Sequence, residues 1–546
     1  MNSSSQPDAD IAVAGHLVAG PDVLAWSSEA LRRAGAEKVA SRLWQRDFTL
    51  WSPDPAEISD RLGWLTVADT MRDRAAEIQE YGRSLVADGV RDVVLLGMGG
   101  SSLAPEVFRQ TFGSAGGFPA LHVLDTTSPA WIRRVTSGLD GRTLHALVAS
   151  KSGGTIEVRT LFAHFEQFVR DSGVDPAGAS FTAITDPGTS LENLARERGF
   201  RRCFTNPPDI GGRYSALSYF GLVPASVLGL PILEMVDAGR AMMEPCRDAS
   251  PANPGLALGV LLGAAARNGR DKLTLLTSPA ISSFGLWIEQ LVAESTGKRG
   301  VGIVPVAGEP DVPVGRLGGD RLFVATRVAG DDTAALDRRV ADLIAAGQPV
   351  FRIDVPSAAS LPAEMFRWEF ATAIAGHVLG IHPFDQPDVQ AAKTQASRIL
   401  ESLSRGDPPP AIEPIPVRDV LDLVRVGDYV GLMLYGDPTS ELVDALDALR
   451  AAIQRRHGVA TTLGVGPRFL HSTGQLHKGG AENGVFLQIV LEEDDVAIPG
   501  EAFGFRELME AQAAGDLAAL RDAGRRAARV ELRDARRIRE LASSLG

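Results

Sequence analysis

Four times between Asp92 and Thr185 a short apolar run stops at glycine, serine or threonine and a helical pattern follows. The runs are "DVVLLGMGGSS" (92–102), "ALHVLDT" (120–126), "LHALVAS" (144–150) and "SFTAIT" (180–185). Runs of four to six residues without polar alternation predict strands buried on both faces, and strands that alternate with helices assemble into a parallel, helix-covered sheet. A chain of this kind is held to a doubly wound α/β architecture, in which ligands sit beyond the carboxyl ends of the strands. A second set, "KLTLLTS" (272–278), "VGIVPV" (301–306), "RLFVATRV" (321–328) and "PVFRIDV" (349–355), predicts another α/β domain of the same type.

Before the first set, helical periodicity from Asp22 to about Arg83, with Trp26, Trp44, Trp51 and Trp64, predicts a helical N-terminal segment behind a short disordered tail. The expected division is 1–83 for that segment, 84–245 and 246–405 for the two α/β domains, and 406–546 for a C-terminal α/β region. The proline-rich passage "SRGDPPPAIEPIP" (404–416) reads as a linker. Beyond it "YVGLMLYG", "GVATTLGVG" and "GVFLQIVLE" predict strands that either form their own layer or complete the second sheet.

Two strand ends carry loops suited to an anion, "GMGGSS" (97–102) and "SKSGGT" (150–155). Glycines let backbone N–H groups approach a ligand, Ser101, Ser150, Ser152 and Thr155 add hydroxyls, and the helix that follows contributes the positive end of its dipole. Taken singly, each loop is equally well a tight βα connection; together they favour a phosphate seat. Composition narrows the partners. A net charge of −13 argues against nucleic acid, and no apolar run approaches the ~20 residues of a membrane helix. The polar start "MNSSSQPDAD" shows no secretory signal and Cys203 and Cys246 make no disulfide framework, so a cytoplasmic protein is expected. His377, His382, His471 and His477 lack an accompanying carboxylate–histidine spacing, so no metal is expected. Arg213 follows two glycines in "GGRYS". Gln290 and Glu294 share one face of a helix; should that face line a crevice, a desolvated glutamate can exchange a proton with carbon.

The motifs "GMGGSS", "SKSGGT", "GGRYS", "QLVAESTGK" (290–298) and "FDQPDVQAAK" (384–393) resemble, in this order, those of the phosphoglucose isomerase family, which has two sugar-isomerase domains of flavodoxin-like form. "GPRFLHSTGQLHKGG" (466–480) and the segment after it resemble the isomerase half of bacterial fusions with transaldolase; no transaldolase half is present. The resemblance implies reversible aldose–ketose isomerisation of glucose 6-phosphate and fructose 6-phosphate through a cis-enediol, without metal or organic cofactor. It leaves two alternatives, an isomerase that also takes mannose 6-phosphate and a non-catalytic sugar-phosphate regulator.

By the same resemblance Ser150, Ser152 and Thr155, with the backbone around Lys151, hold the phosphate, and Gly100 and Ser101 line the substrate. Glu294 is the base, Gln290 its substrate-contacting neighbour, Arg213 the stabiliser of enediolate charge and Lys393 the lysine near the ring oxygen. The ring-opening histidine is His471, with His477 second, in a segment moved along the chain relative to the usual order. The family takes this histidine from a neighbouring subunit, which implies a homodimer. "FDQPDVQAAK" departs from the commoner family pattern at Asp388 and Gln390, next to Lys393.

Overall fold

The computed structural model describes residues 16–18, 20–405, 415–532 and 534–545; the first ten residues and most of the proline-rich passage, 406–414, lie outside the described residues. Three sheets organise the chain. In the first, all strands are parallel and run in the spatial order Ala120–Leu124, Asp92–Gly97, Leu144–Ala149, Phe181–Thr185, Arg202–Thr205. Every residue of Leu144–Ala149 is buried, as its unbroken apolar character requires of a central strand. The order reverses around Asp92–Gly97, and register pairs Gly97 with Ala149. The two loops suited to an anion therefore leave the sheet side by side at its topological switch point.

In the second sheet Lys272–Thr277, Val304–Val306, Arg321–Val328 and Val350–Val355 are parallel, matching the four predicted strands. A further strand, His16–Val18, joins antiparallel to Val350–Val355 and makes the sheet mixed. Three residues are too short to carry a period, so this edge strand left no signal in the sequence. The third sheet settles where the last strands go. Ala460–Gly466, Tyr429–Tyr435, Gly484–Leu491 and Arg526–Leu532 pair in parallel with one another and with no strand of the second sheet.

The N-terminal helices, Pro21–Ala36, Val39–Trp44 and Val67–Ala87, cover this framework. Val67–Ala87 buries Met71, Ala75, Ile78 and Leu85, a helical stripe that packs on the helices Tyr219–Val227 and Ile232–Met243. The third sheet is not a separate body. Tyr429, Met433, Phe469, Leu476 and Phe486 share one apolar cluster with Ala293, Val304 and Val306 of the second unit. Phe505 and Leu508 join Phe162 and Phe165 behind the first sheet. No described helix is long and apolar enough to cross a membrane.

Candidate active site

The three sheets meet at a cleft of about 540 Å³, within the range of small-molecule sites. Its walls include Gly100, Ser101, Ser150, Lys151, Ser152, Thr155, Arg213, Gln290, Glu294, Lys393 and His471. All eleven site residues singled out from the sequence line one space.

On one side is the loop after Leu144–Ala149. Ser150 Oγ lies 3.0 Å from Thr155 Oγ1 and accepts a hydrogen bond from the Gly153 N–H at 3.1 Å. Thr155 stands at the N-cap of the 16-residue helix Ile156–Asp171 without using its side chain to cap it. The N-cap side chain thus leaves the helix N-terminus uncapped, a condition that favours an anion seat. Lys151 turns away from this seat. Its ammonium pairs with Asp186 and donates to the Pro208 carbonyl at 3.1 Å, bracing the next loop. Burial pushes the Asp186 carboxyl up despite that partner.

Facing it is the turn Gly99–Ser101. Gly99 has φ +55°, and a Cβ there would lie 2.6 Å from the His471 carbonyl oxygen; a Cβ on Gly100 would lie 2.0 Å from that of Gly212. Only glycine lets three backbone segments converge this closely.

Arg213, Gln290 and Glu294 form the floor. Gln290 and Glu294, one helical turn apart on Phe284–Thr296, point into the cleft and not to solvent: Gln290 Nε2 donates to Glu294 Oε2 at 3.1 Å and to the His471 carbonyl at 2.8 Å. The Arg213 side chain is 3% exposed, and its Nη1 is 3.2 Å from Glu294 Oε1. Its remaining donors reach Ser295 Oγ, Gln386 Oε1 and the carbonyls of Pro383 and Asp385 at 2.7–3.1 Å. Glu294 therefore faces the cleft with a charge partner beside it.

His471 ends the turn Arg468–His471, just past the third-sheet strand Ala460–Gly466. Its Nε2 lies 3.0 Å from Glu157 Oε1, and the same oxygen accepts from Gln512 Nε2 at 2.7 Å. Burial would raise the Glu157 carboxyl, but the charge and hydrogen bond of His471, with Lys393 adding, outweigh it and hold it below its ordinary value. An ionised Glu157 puts the ring proton on Nε2 and leaves Nδ1 as the basic nitrogen. His477 is elsewhere. It is buried between Phe469 and Phe486, and burial pushes its imidazole well below the ordinary value. His377 bonds Glu37 and the Leu50 carbonyl under the N-terminal helices. Where the family resemblance expects the histidine from a neighbouring subunit, here His471 of the same chain lines the cleft, because the third sheet packs on both others. Among the described residues no group of three or more His, Cys, Asp or Glu is arranged to hold a metal.

Sequence reasoning missed Glu157, Gln512, Asp125 and Lys298. Glu157 stands two residues past the motif "SKSGGT", but its partner lies 314 residues away. Lys298, in "ESTGK", donates at 2.6 Å to both the carbonyl and a carboxylate oxygen of Asp385, fixing the loop beside Arg213. Burial, with Arg213 close by, pushes Lys298 down to about 8 from 10.5, against the pull of Asp385. Between these values the unfolded chain holds a proton that the folded chain has released, so this group's contribution to stability rises with pH across that window. Urea denaturation of wild type and Lys298→Met from pH 7 to 10.5 is expected to show this: the stability difference in favour of wild type grows above about pH 8. A constant difference would mean that Lys298 is not depressed.

Fold and cleft define an α/β protein of parallel-sheet units with a small-molecule cleft where they meet. Residues 63–304 match the sequence pattern of the phosphoglucose isomerase family. A glucose-6-phosphate isomerase of Cyanothece is 34% identical over 213 residues, 38% of this chain and 40% of the relative. One from Acaryochloris marina is 32% identical over 51% of its length, so the chain spans about half or less of these two relatives. One from Staphylococcus saprophyticus is 28% identical over 65% of this chain and 90% of its own. Among solved structures, a hypothetical protein of Thermus thermophilus superposes with TM-score 0.61 at 25% identity, over 70% of this chain and 99% of that one. A glucose-6-phosphate isomerase of Chlamydia trachomatis superposes with TM-score 0.58 at 19% identity over 72% and 88%, a likeness of fold.

Proposed function

We propose that the protein is a glucose-6-phosphate isomerase. The observation that carries this is the convergence of Glu294, its partner Arg213, Lys393 and the His471–Glu157 pair on one cleft, opposite a helix N-terminus flanked by the Ser150, Ser152 and Thr155 hydroxyls. In this reading the sugar phosphate is bound by the hydroxyls of Ser150, Ser152 and Thr155 and by backbone N–H groups, so no buried cation is needed at the phosphate. His471 takes and returns the proton that opens the ring, with Lys393 beside the ring oxygen. Glu294 then carries the C2 proton to C1, and Arg213 stabilises the negative charge that develops on the enediolate oxygen. Gly100 and Ser101 line the substrate, and Gln290 joins Glu294 to the backbone of the histidine turn. The reading also assigns 84–245 and 246–405 to the two sugar-isomerase domains, 406–546 to the unit that supplies the histidine, and the enzyme to the cytoplasm.

The test is conversion of fructose 6-phosphate to glucose 6-phosphate by the full chain with chelator present, read through a coupled dehydrogenase; absence of conversion rejects the proposal. The phosphate seat is tested separately. Ser150→Ala with Thr155→Ala is expected to raise KM about a hundredfold, two hydrogen bonds to a charged group being lost, and to lower kcat less. An unchanged KM would move the phosphate elsewhere in the cleft.

A further inference from the structure

A buried charge pair that the proposed reaction does not use ties the turn bearing His471 to the first glycine loop. Arg468, three residues before His471, donates from Nε to Asp125 Oδ2 at 2.7 Å and from Nη2 to Oδ1 at 2.8 Å. The Asp125 side chain is 0% exposed and also accepts from Ser102 Oγ at 3.0 Å. Ser102 adjoins Ser101 and closes the turn Gly99–Ser101 through its own N–H. The guanidinium lies over Trp131, 5.6 Å from the ring centroid. From the other side, Gln290 holds the His471 carbonyl and Glu157 holds its ring.

Burying both charges is a costly way to join two units. What a bidentate pair supplies and an apolar contact does not is orientation, because the planar fork fits the carboxylate in one geometry. A second bidentate pair, Arg134 with Asp437 at 2.7 and 2.8 Å, links the same two units with its arginine 54% exposed, where such a pair is screened.

We infer that Arg468 is a positioning residue for His471: the chain Arg468–Asp125–Ser102 sets where the imidazole stands relative to the loop that lines the substrate, and ring opening depends on it. The inference rests on reading His471 as the ring-opening group. In that step the C1–O5 bond of the pyranose breaks, the O1 hydroxyl gives up its proton as C1=O forms, and O5 gains a proton. Reclosure on the other face of C1 gives the other anomer. Anomerisation of glucose 6-phosphate therefore reports ring opening without any C–H chemistry.

The experiment measures α-to-β anomerisation by exchange NMR, above the spontaneous rate, together with kcat and KM for isomerisation. It compares full-length wild type, Arg468→Gln, Arg468→Lys, Arg134→Gln and His471→Ala. Arg468→Gln is expected to lose about ten- to a hundredfold in anomerisation, the effect of a catalytic group misplaced by about 1 Å, with KM within about threefold of wild type. Arg468→Lys, which keeps the charge without the fork, is expected to recover part of the loss, and Arg134→Gln to match wild type. Wild-type anomerisation in Arg468→Gln overturns the inference, as does an equal loss in Arg134→Gln, which would make Arg468 one docking contact among several. Should Arg468→Gln not fold, Ser102→Ala removes the 3.0 Å bond to Asp125 together with a 3.2 Å bond to the Gly99 carbonyl in the same turn, and anomerisation unchanged in that variant overturns the inference equally. Unchanged anomerisation in His471→Ala, or a wild type with neither activity, would refute the underlying reading instead.

Discussion

Glu294→Gln is expected to lower isomerisation about a thousandfold, the middle to upper part of the range for a general base, while sugar-phosphate affinity stays within about threefold. The substitution keeps shape and leaves an oxygen to accept the 3.1 Å bond from Gln290 Nε2. It removes the one group in the reading that accepts a proton from carbon. The phosphate contacts lie across the cleft on the Ser150–Thr155 loop, so binding energy there is untouched. Arg213 loses its charge partner but keeps the Ser295, Gln386, Pro383 and Asp385 acceptors, so its guanidinium stays in place. Turnover in the coupled assay, affinity by calorimetry and exchange of the C2 hydrogen with deuterated solvent separate the outcomes. Lost affinity would make Glu294 a structural or substrate-positioning group; retained exchange would give the proton transfer to another residue.

Arg213→Gln is expected to cost both stability and turnover. Every one of the arginine's donor groups is engaged, and the side chain is 3% exposed. Neutralising it leaves Glu294 without its charge partner, a change of about 3–5 kcal/mol when one side of a buried pair is removed. Arg213→Lys restores charge, but three ammonium donors cannot satisfy five acceptors spread over a fork, so it is expected to recover less than half of the stability. Urea denaturation measures this directly. A loss of turnover with no loss of stability in either variant would mean that the carbonyls of Pro383 and Asp385 are satisfied in another way, and that Arg213 acts only on the reaction.

The sheets were legible because their strands are buried on both faces: "LHALVAS" admits no other reading once a helix follows it. The convergence of the loops was legible too, since strand order and a switch point bring Gly97 and Ala149 into register wherever the intervening helices go. The site contacts that the sequence did not disclose share one physical origin. A hydrogen bond between side chains leaves no periodic trace, and Glu157 with His471, Asp125 with Arg468 and Gln475 with Asp388 are separated by 314, 343 and 87 residues. The last of these gives a use to the departure at Asp388: Gln475 Nε2 donates to its carboxylate at 2.5 Å, and the Asp388 N–H donates to Gln475 Oε1 at 2.9 Å, joining the lysine motif to the histidine segment. The edge strand His16–Val18 was invisible for a different reason, being shorter than any period that could announce it.

The third sheet also sets an order of events during synthesis. The anion loop is complete by residue 155 and the carboxylate arrives at 294, but the histidine comes at 471, in a sheet whose last strand ends at 532. At roughly 5–20 residues per second, the stretch from Glu294 to the end of that strand occupies a ribosome for about 10–50 s. Through that interval the nascent chain exposes the apolar face of Ala293, Val304 and Val306 that Phe469 and Phe486 later cover. The growing polypeptide thus passes through a stage at which a ligand has somewhere to sit but nothing to complete the wall above it, and that unfinished wall is the surface a chaperone would have to guard.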